Sequence, residues 1–404
     1  MEPIIIIGAG LAGWTTVREF RKLDATRPVV VITADSGDFY AKPSLSNAYG
    51  QKRTPAQLVT TSAAKMAETL QVTLHAHTRV TSIDTAARTL AMAPTAPPEG
   101  AATTLTMLTY SQLVFATGAL PIRVPVAGNA ADQVRAINSL DDFSVFHSAL
   151  SPRAESAGSS ENHCKTVMIM GAGLIGCEFA NDLLQAGHQV HVADPAPRPL
   201  AALLPAEAGT QLQEALAAMG VQWHFGTSVS AVDTASGAGL RVTLASGELV
   251  EADAVLSAIG LRADTALAAA AGLRCDRGIQ VDALLQTSTN GIFALGDCAQ
   301  YASAGERTLP YVTPIMNAAK ALAATLNGTP TPLAFPLMPV SIKTPALPIV
   351  VAAPHPSQAG KWLSGDGADQ GIWRHTDPEG GQRGFVLTGK QTARRMELAK
   401  ATLP

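Results

Sequence analysis

Two sets of three glycines, Gly8, Gly10, Gly13 and Gly171, Gly173, Gly176, share one spacing, and it suits the binding of a diphosphate. In Gly-x-Gly-x-x-Gly the first glycine permits a tight turn and the second lets the backbone approach a pyrophosphate. The third allows close packing of a helix on a strand. The diphosphate then lies against backbone amides at a helix N-terminus, where the dipole favours negative charge. Leu11 and Ala12 complete the first motif, and Leu174 and Ile175 the second. One copy of so short a pattern is weak evidence. Two copies, each between an apolar run and a helical stretch, point to two dinucleotide sites.

An acidic residue about 20 positions on should hold an adenosine ribose through its hydroxyls. In the second unit Asp194 ends the apolar run 190–193. A carboxylate there repels a 2′-phosphate and favours NADH over NADPH, although Arg198 nearby carries the opposite charge. In the first unit Asp35, Ser36 and Asp38 all lie near the right place. Asp35 is preferred because it follows the strand, the alternative being a solvated turn aspartate. Residues 114–118 read Val-Phe-Ala-Thr-Gly and put Ala116, Thr117 and Gly118 at a strand end. Residues 292–297 read Ile-Phe-Ala-Leu-Gly-Asp. Asp297 there is suited to accept hydrogen bonds from a sugar-alcohol chain, and Gly296 leaves room for it. Gly260 is taken as a further contact of the second dinucleotide.

The elements that must position these residues can be read locally. Residues 4–13 and 167–176 each begin with the continuous apolar run of a doubly covered parallel strand. Helical stretches follow at 14–23 and 177–186, and second apolar runs at 29–32 and 190–193. That is βαβ twice, about 160 residues apart. Polar stretches at 93–104 and 151–163 read as a hairpin-loop insertion and a linker. Beyond Pro310, Pro-rich apolar runs such as 343–351, with another at 384–387, suggest strands, and 391–401 a closing helix.

At 404 residues, 47% apolar and 15% charged, the chain suits two or three well-buried domains. A net charge of -3 with no long basic stretch argues against a nucleic-acid partner. The four cysteines, at 164, 177, 275 and 298, form no CxxC pair and suggest neither a disulfide framework nor a metal site. The apolar N-terminus has no basic leader and reads as a strand, and no uninterrupted run is long enough for a membrane span. A soluble cytoplasmic protein is expected.

The paired glycine motifs, Val-Phe-Ala-Thr-Gly and Leu-Gly-Asp, in this order and spacing, resemble the two-dinucleotide flavoprotein disulfide reductase superfamily. The resemblance implies an α/β fold: two Rossmann-like, glutathione-reductase-like dinucleotide-binding domains and a small α+β C-terminal domain. It implies FAD in 1–121 and 262–309, with its ribitol near Asp297, NAD(H) in 122–261, and a C-terminal domain over 310–404. The segment 40–46, Tyr-Ala-Lys-Pro-Ser-Leu-Ser, lacks the cysteines of disulfide reductases. It looks like reductases that feed small iron proteins. Gly-Leu-Ile-Gly-Cys-Glu-Phe-Ala-Asn-Asp-Leu at 173–183, Leu-Gly-Asp-Cys-Ala at 295–299 and Ile-Lys-Thr-Pro at 342–345 resemble bacterial rubredoxin reductases, with the flavorubredoxin reductase branch nearly as similar.

By that resemblance Lys42, followed by Pro43, lies near the flavin N5 edge, and Glu178 approaches both Lys42 and the nicotinamide. Lys343 faces the flavin N1/O2 region, and the stretch holding Val312 brings backbone amides to the pyrimidine. Cys298 is read as packing, and His188 and His224 as structural. The implied activity is hydride transfer from NADH to FAD, then single-electron transfers to rubredoxin or a rubredoxin-like iron protein, by a monomer. A ferredoxin reductase serving an oxygenase and a non-enzymatic NADH-sensing flavoprotein are the alternatives.

Overall fold

The computed structural model describes residues 1–96, 105–151, 164–235 and 239–403. Most of the expected insertions, residues 97–104 and 152–163, lies outside the described residues. Contacts divide the chain into two compact units: Met1–Ala41, Val59–Leu120 and Leu261–Pro336 in the first, and Lys42–Leu58, Pro121–Gly260 and Leu337–Pro404 in the second.

The first unit is built on a five-stranded parallel sheet, in the order Ile292–Ala294, Gln112–Phe115, Ile4–Ile7, Val29–Ile32, Thr73–His75. All four isoleucines of Ile4–Ile7 are buried, as expected of a strand covered on both faces, where side chains cannot alternate with water. The helix Leu11–Arg21 buries Trp14, Val17 and Phe20 and packs against the helix Val312–Leu326. Ile315, Ala318, Ala319 and Leu322 of that second helix join the same core as Ile4–Ile7. A three-stranded antiparallel sheet, Thr78–Asp84, Thr89–Pro94 and Thr106–Thr109, completes the unit.

The second unit repeats this plan. Its parallel sheet runs Val134–Ala136, Ala254–Ser257, Thr166–Met170, Gln189–Asp194, Gln222–Phe225. Its antiparallel sheet is Val229–Thr234, Leu240–Leu244 and Leu249–Ala252. A five-stranded antiparallel sheet follows, in the order Val340–Ile342, Ile349–Ala352, Gln382–Thr388, Ile372–Thr376, Lys361–Ser364. It is packed around Val350, Ile372, Phe385, Leu387 and Leu398.

Several local expectations shift. The helices begin at Leu11 and Leu174 rather than at 14 and 177, because Gly10 and Gly173 already serve as extended N-cap residues. The run 343–351 is not one strand: Val340–Ile342 and Ile349–Ala352 pair antiparallel, and 343–348 turns between them. Pro345 and Pro348 have no N–H to give a ladder there. The closing helix is a 3-10 turn, Gly389–Arg394, leading into Arg395–Ala401. The contact division also differs from the expected boundaries: Val312–Leu326 joins the first unit through its apolar face, and Lys42–Leu58 joins the second. Among the described residues no helix is long and apolar enough to cross a membrane.

The glycines of each motif do two different jobs. A Cβ on Gly13 would lie 1.9 Å from the Gly8 carbonyl oxygen, and one on Gly176 2.0 Å from that of Gly171. A Cβ on Gly10 or Gly173 would meet no protein atom within 4 Å. The third glycine therefore serves packing, and the second keeps an open face of backbone. Gly176→Ala should lower stability by about 2 kcal/mol or more, because the strand–helix approach must open. Gly173→Ala should unfold at the wild-type midpoint; a matched pair of thermal melts checks both.

Candidate active site

In the first unit the candidate residues gather at the carboxyl ends of three adjacent strands. Gly8–Gly10 follow Ile4–Ile7, Ala116–Gly118 follow Gln112–Phe115, and Gly296 and Asp297 come just after Ile292–Ala294. Gly8, at φ +110°, donates from its amide to Ile32 O at 2.8 Å, and a Cβ on it would collide with Ala116 O at 2.2 Å. Gly296, at φ +81°, exchanges hydrogen bonds with the buried Tyr301 hydroxyl, and its missing Cβ spares Ala12 a 2.9 Å contact. Thr117 donates its hydroxyl to Asp264 O at 3.0 Å, fixing the strand end beside Gly118. Asp297 is half-buried. Val312 opens the helix Val312–Leu326 and is exposed.

Asp35 accepts from the Thr33 hydroxyl at 2.6 Å and the Gly37 amide at 3.0 Å, so it braces its own turn. Asp38 instead accepts from Ala63 N at 2.8 Å, at the start of the helix Ala63–Leu70. Cys298 is fully buried with its thiol pushed up to about 11, first of all by burial, and it points at the Leu295 carbonyl. Such a thiol packs; it does not react.

In the second unit Gly171, at φ +102°, donates to Ala193 O at 2.8 Å, the counterpart of the Gly8–Ile32 bond. Gly173 caps the helix Leu174–Gln185, which also holds Ile175 and Glu178. Asp194 accepts from Ala172 N at 2.6 Å and Ala196 N at 2.7 Å, so its carboxylate clasps the glycine loop. Gly260, at φ +112°, accepts from Ile122 N at 3.0 Å just beyond Ala254–Ser257.

Both helices that follow a glycine loop lack a side-chain N-cap bond and have no acid in the first turn. No side chain of either helix's own first turn meets its first amides or its positive dipole end. With the bare backbone at Gly10 and Gly173, each loop fits a dinucleotide diphosphate.

The strongest polar constellation surrounds Glu178, which is only 1% exposed. One carboxylate oxygen accepts from the Ser46 hydroxyl at 2.6 Å and the Lys343 ammonium at 2.8 Å. The other accepts from the Lys343 backbone amide at 2.9 Å. Lys343 Nζ also donates to Ser46 Oγ at 2.7 Å and to the Pro43 carbonyl. The sequence reading paired Glu178 with Lys42; the ion-pair partner found is Lys343. Lys42 begins the short turn Lys42–Asn47 that carries Ser46 and is half-buried.

Sequence reasoning missed the rest of this helix face. Asn181 accepts from Ala346 N at 3.0 Å, and Asp182 accepts from Tyr49 N at 2.9 Å and Gly50 N at 2.8 Å. Burial pushes the Asp182 carboxyl upward, and the two amides pull it back. Glu178, Asn181 and Asp182 stand at i, i+3 and i+4, so they line one stripe of the helix. That polar stripe within a buried helix was a legible signal. Beside it lies a cavity of about 480 Å³ lined by Ser46, Glu178, Asn181, Asp182, Lys343 and Pro345, among others.

Comparison with known proteins places this geometry. The sequence profile of the pyridine nucleotide-disulphide oxidoreductase family matches residues 2–324, and that of the rubredoxin binding C-terminal domain matches 332–402. A rubredoxin-NAD(+) reductase of Acinetobacter baylyi is 40% identical over 402 residues, covering 99% of this chain and 98% of that protein. A nitric oxide reductase FlRd-NAD(+) reductase of Aeromonas salmonicida is 38% identical over 399 residues, covering 99% and 96%. A solved ferredoxin reductase from Rhodopseudomonas palustris shares the fold, with a TM-score of 0.83 at 24% identity, covering 100% of this chain and 96% of that one. Two glycine loops on twin parallel sheets, matched end to end by these relatives, establish that the chain belongs to the pyridine nucleotide-disulphide oxidoreductase family.

Proposed function

We propose that the protein is an NADH:rubredoxin oxidoreductase, an FAD-dependent enzyme that passes electrons from NADH to rubredoxin or a rubredoxin-like iron protein. The observation that carries this reading is the match of residues 332–402 to the rubredoxin binding C-terminal domain. The names of the relatives from Acinetobacter and Aeromonas support it. Reduction of a disulfide finds no support: 40–46 holds no cysteine, and the thiols of Cys177 and Cys298 are buried and pushed upward. These thiols, kept as free cysteines, agree with a place in the cytoplasm. We take the protein to act as a monomer.

The proposed roles follow the two loops. Gly8, Gly10, Leu11, Ala12 and Gly13 would hold the FAD diphosphate, and Asp35 its adenosine ribose. Ala116, Thr117, Gly118, Gly296 and Asp297 would line its ribitol and ring, with Val312, Lys42, Pro43 and Lys343 toward the flavin. Gly171, Gly173, Leu174, Ile175, Gly176 and Gly260 would hold NADH, with Asp194 at its ribose. When bound, FAD supplies a two-electron hydride acceptor that can release electrons singly. The net reaction is NADH with two oxidised rubredoxins giving NAD⁺, two reduced rubredoxins and one proton.

The chain's own contribution is orientation and charge. Lys343, fixed by Glu178 and Ser46, would keep a cation where negative charge accumulates on reduction. Glu178 pairs with that cation from a fully buried position and would line the nicotinamide side. No step demands a histidine acid or base.

The deciding experiment is NADH-dependent reduction of rubredoxin measured beside a plant-type ferredoxin. Rapid reduction of rubredoxin alone is expected. Preference for ferredoxin would make the protein an oxygenase reductase, and slow transfer to both, with NAD⁺ tightly retained, a sensor. The Asp194 carboxylate should disfavour a 2′-phosphate, so kcat/KM should be at least about tenfold higher with NADH than with NADPH. Equal efficiencies would remove Asp194 from the ribose site. Glu178→Gln should slow flavin bleaching by NADH about tenfold in stopped-flow mixing, with FAD content unchanged. Unaltered bleaching would take Glu178 out of the redox centre.

A further inference from the structure

The C-terminal region carries its own charge balance. Residues 332–402 hold eight Lys and Arg against five Asp and Glu, whereas the whole chain is net negative at -3. The cations divide into two sets. Lys343, Arg374, Arg383 and Arg394 are each engaged with a carboxylate. Lys361, Lys390, Arg395 and Lys400 are exposed and make no ion pair among the described residues.

Three of those four fall within 390–400, on the 3-10 turn Gly389–Arg394 and the helix Arg395–Ala401. Here Arg394 is neutralised by Asp369 and Glu397, so the surplus belongs to Lys390, Arg395 and Lys400. Between them stands Met396, 63% exposed, while Leu398 of the same helix is buried. Met396 and Lys400 are i and i+4, neighbours on one helix face. Arg395 also borders a cleft of about 410 Å³ together with Ile342, Pro348, Val350 and Ala393.

We infer that Lys390, Arg395 and Lys400, around Met396, form the electrostatic contact for an acidic face of rubredoxin. The inference rests on the function proposed above and names the surface that would serve it. A one-electron acceptor must dock twice for each hydride, so its complex must be short-lived. Small interfaces steered by charge suit that demand, since opposite charges speed encounter without slowing release. Free cations around an exposed apolar side chain have that character. Cations already paired with carboxylates, such as Arg383 with Asp377, add little long-range field.

The test compares wild type with the triple variant Lys390→Glu, Arg395→Glu, Lys400→Glu and with Met396→Ala. Each is assayed for NADH-driven rubredoxin reduction from low to high salt and for flavin bleaching by NADH alone. The triple variant should lose at least about tenfold in kcat/KM for rubredoxin at low salt, and its rate should lose the wild-type fall with ionic strength. Met396→Ala should raise KM for rubredoxin and leave the salt dependence intact. Bleaching by NADH should be unchanged in both, which also shows that they are folded. If wild type reduces rubredoxin rapidly and the triple variant matches it in rate and salt dependence, the docking surface is refuted while the function stands. If wild type itself fails to reduce rubredoxin, the function falls and the surface with it.

Discussion

A carboxylate taken out of water holds the second unit's chemistry in place. Burying Glu178 costs several kcal/mol unless its oxygens are met, and three donors meet them: an ammonium, a hydroxyl and a backbone amide. Those donors come from two segments far apart in the chain, the turn Lys42–Asn47 and the end of the strand Val340–Ile342. Removing either segment would strand the charge. Asn181 and Asp182 extend the same logic along the helix, gripping Ala346 on one side and Tyr49 and Gly50 on the other. Apolar burial brings these elements near one another without choosing among orientations, because it is non-directional. The hydrogen-bonded stripe does the choosing.

The two glycine loops show how one local device serves two sites. Each turns from a parallel strand at a glycine with positive φ, and each leaves its second glycine bare. They differ in the nearest acid. Asp194 reaches back to the loop amide of Ala172, whereas Asp35 is spent on its own turn. They differ also in what the neighbouring strands deliver: Ala116–Gly118 and Gly296–Asp297 in the first unit, Gly260 in the second.

Local pattern was legible in the sequence, and long-range polar pairing was not. The buried parallel strands, both βαβ units and the strand-end motifs follow from short runs and from the steric needs of glycine. Helix starts were misread by three residues because the capping glycine, not the first bulky residue, sets the boundary. The partner of Glu178 lies 165 residues away, and nothing in the local spacing distinguishes Lys343 from Lys42 as its counter-ion. The membership of Lys42–Leu58 in the second unit was hidden for the same reason: it depends on Asp182 and Glu178 rather than on the segment's own composition. The break within 343–351 was readable from its prolines.

The discontinuous first unit sets a timetable for synthesis. The strand Gln112–Phe115 leaves the ribosome early, but Ile292–Ala294, which covers its open edge, comes about 180 residues later. At synthesis rates of about 5–20 residues per second, that edge waits roughly 10–35 s for its partner. The second unit's parallel sheet can close in the interval, since its strands lie between Val134 and Ser257. The first unit's sheet is therefore begun before the second unit's and completed after it, so the nascent chain must be guarded longest along the edge of Gln112–Phe115.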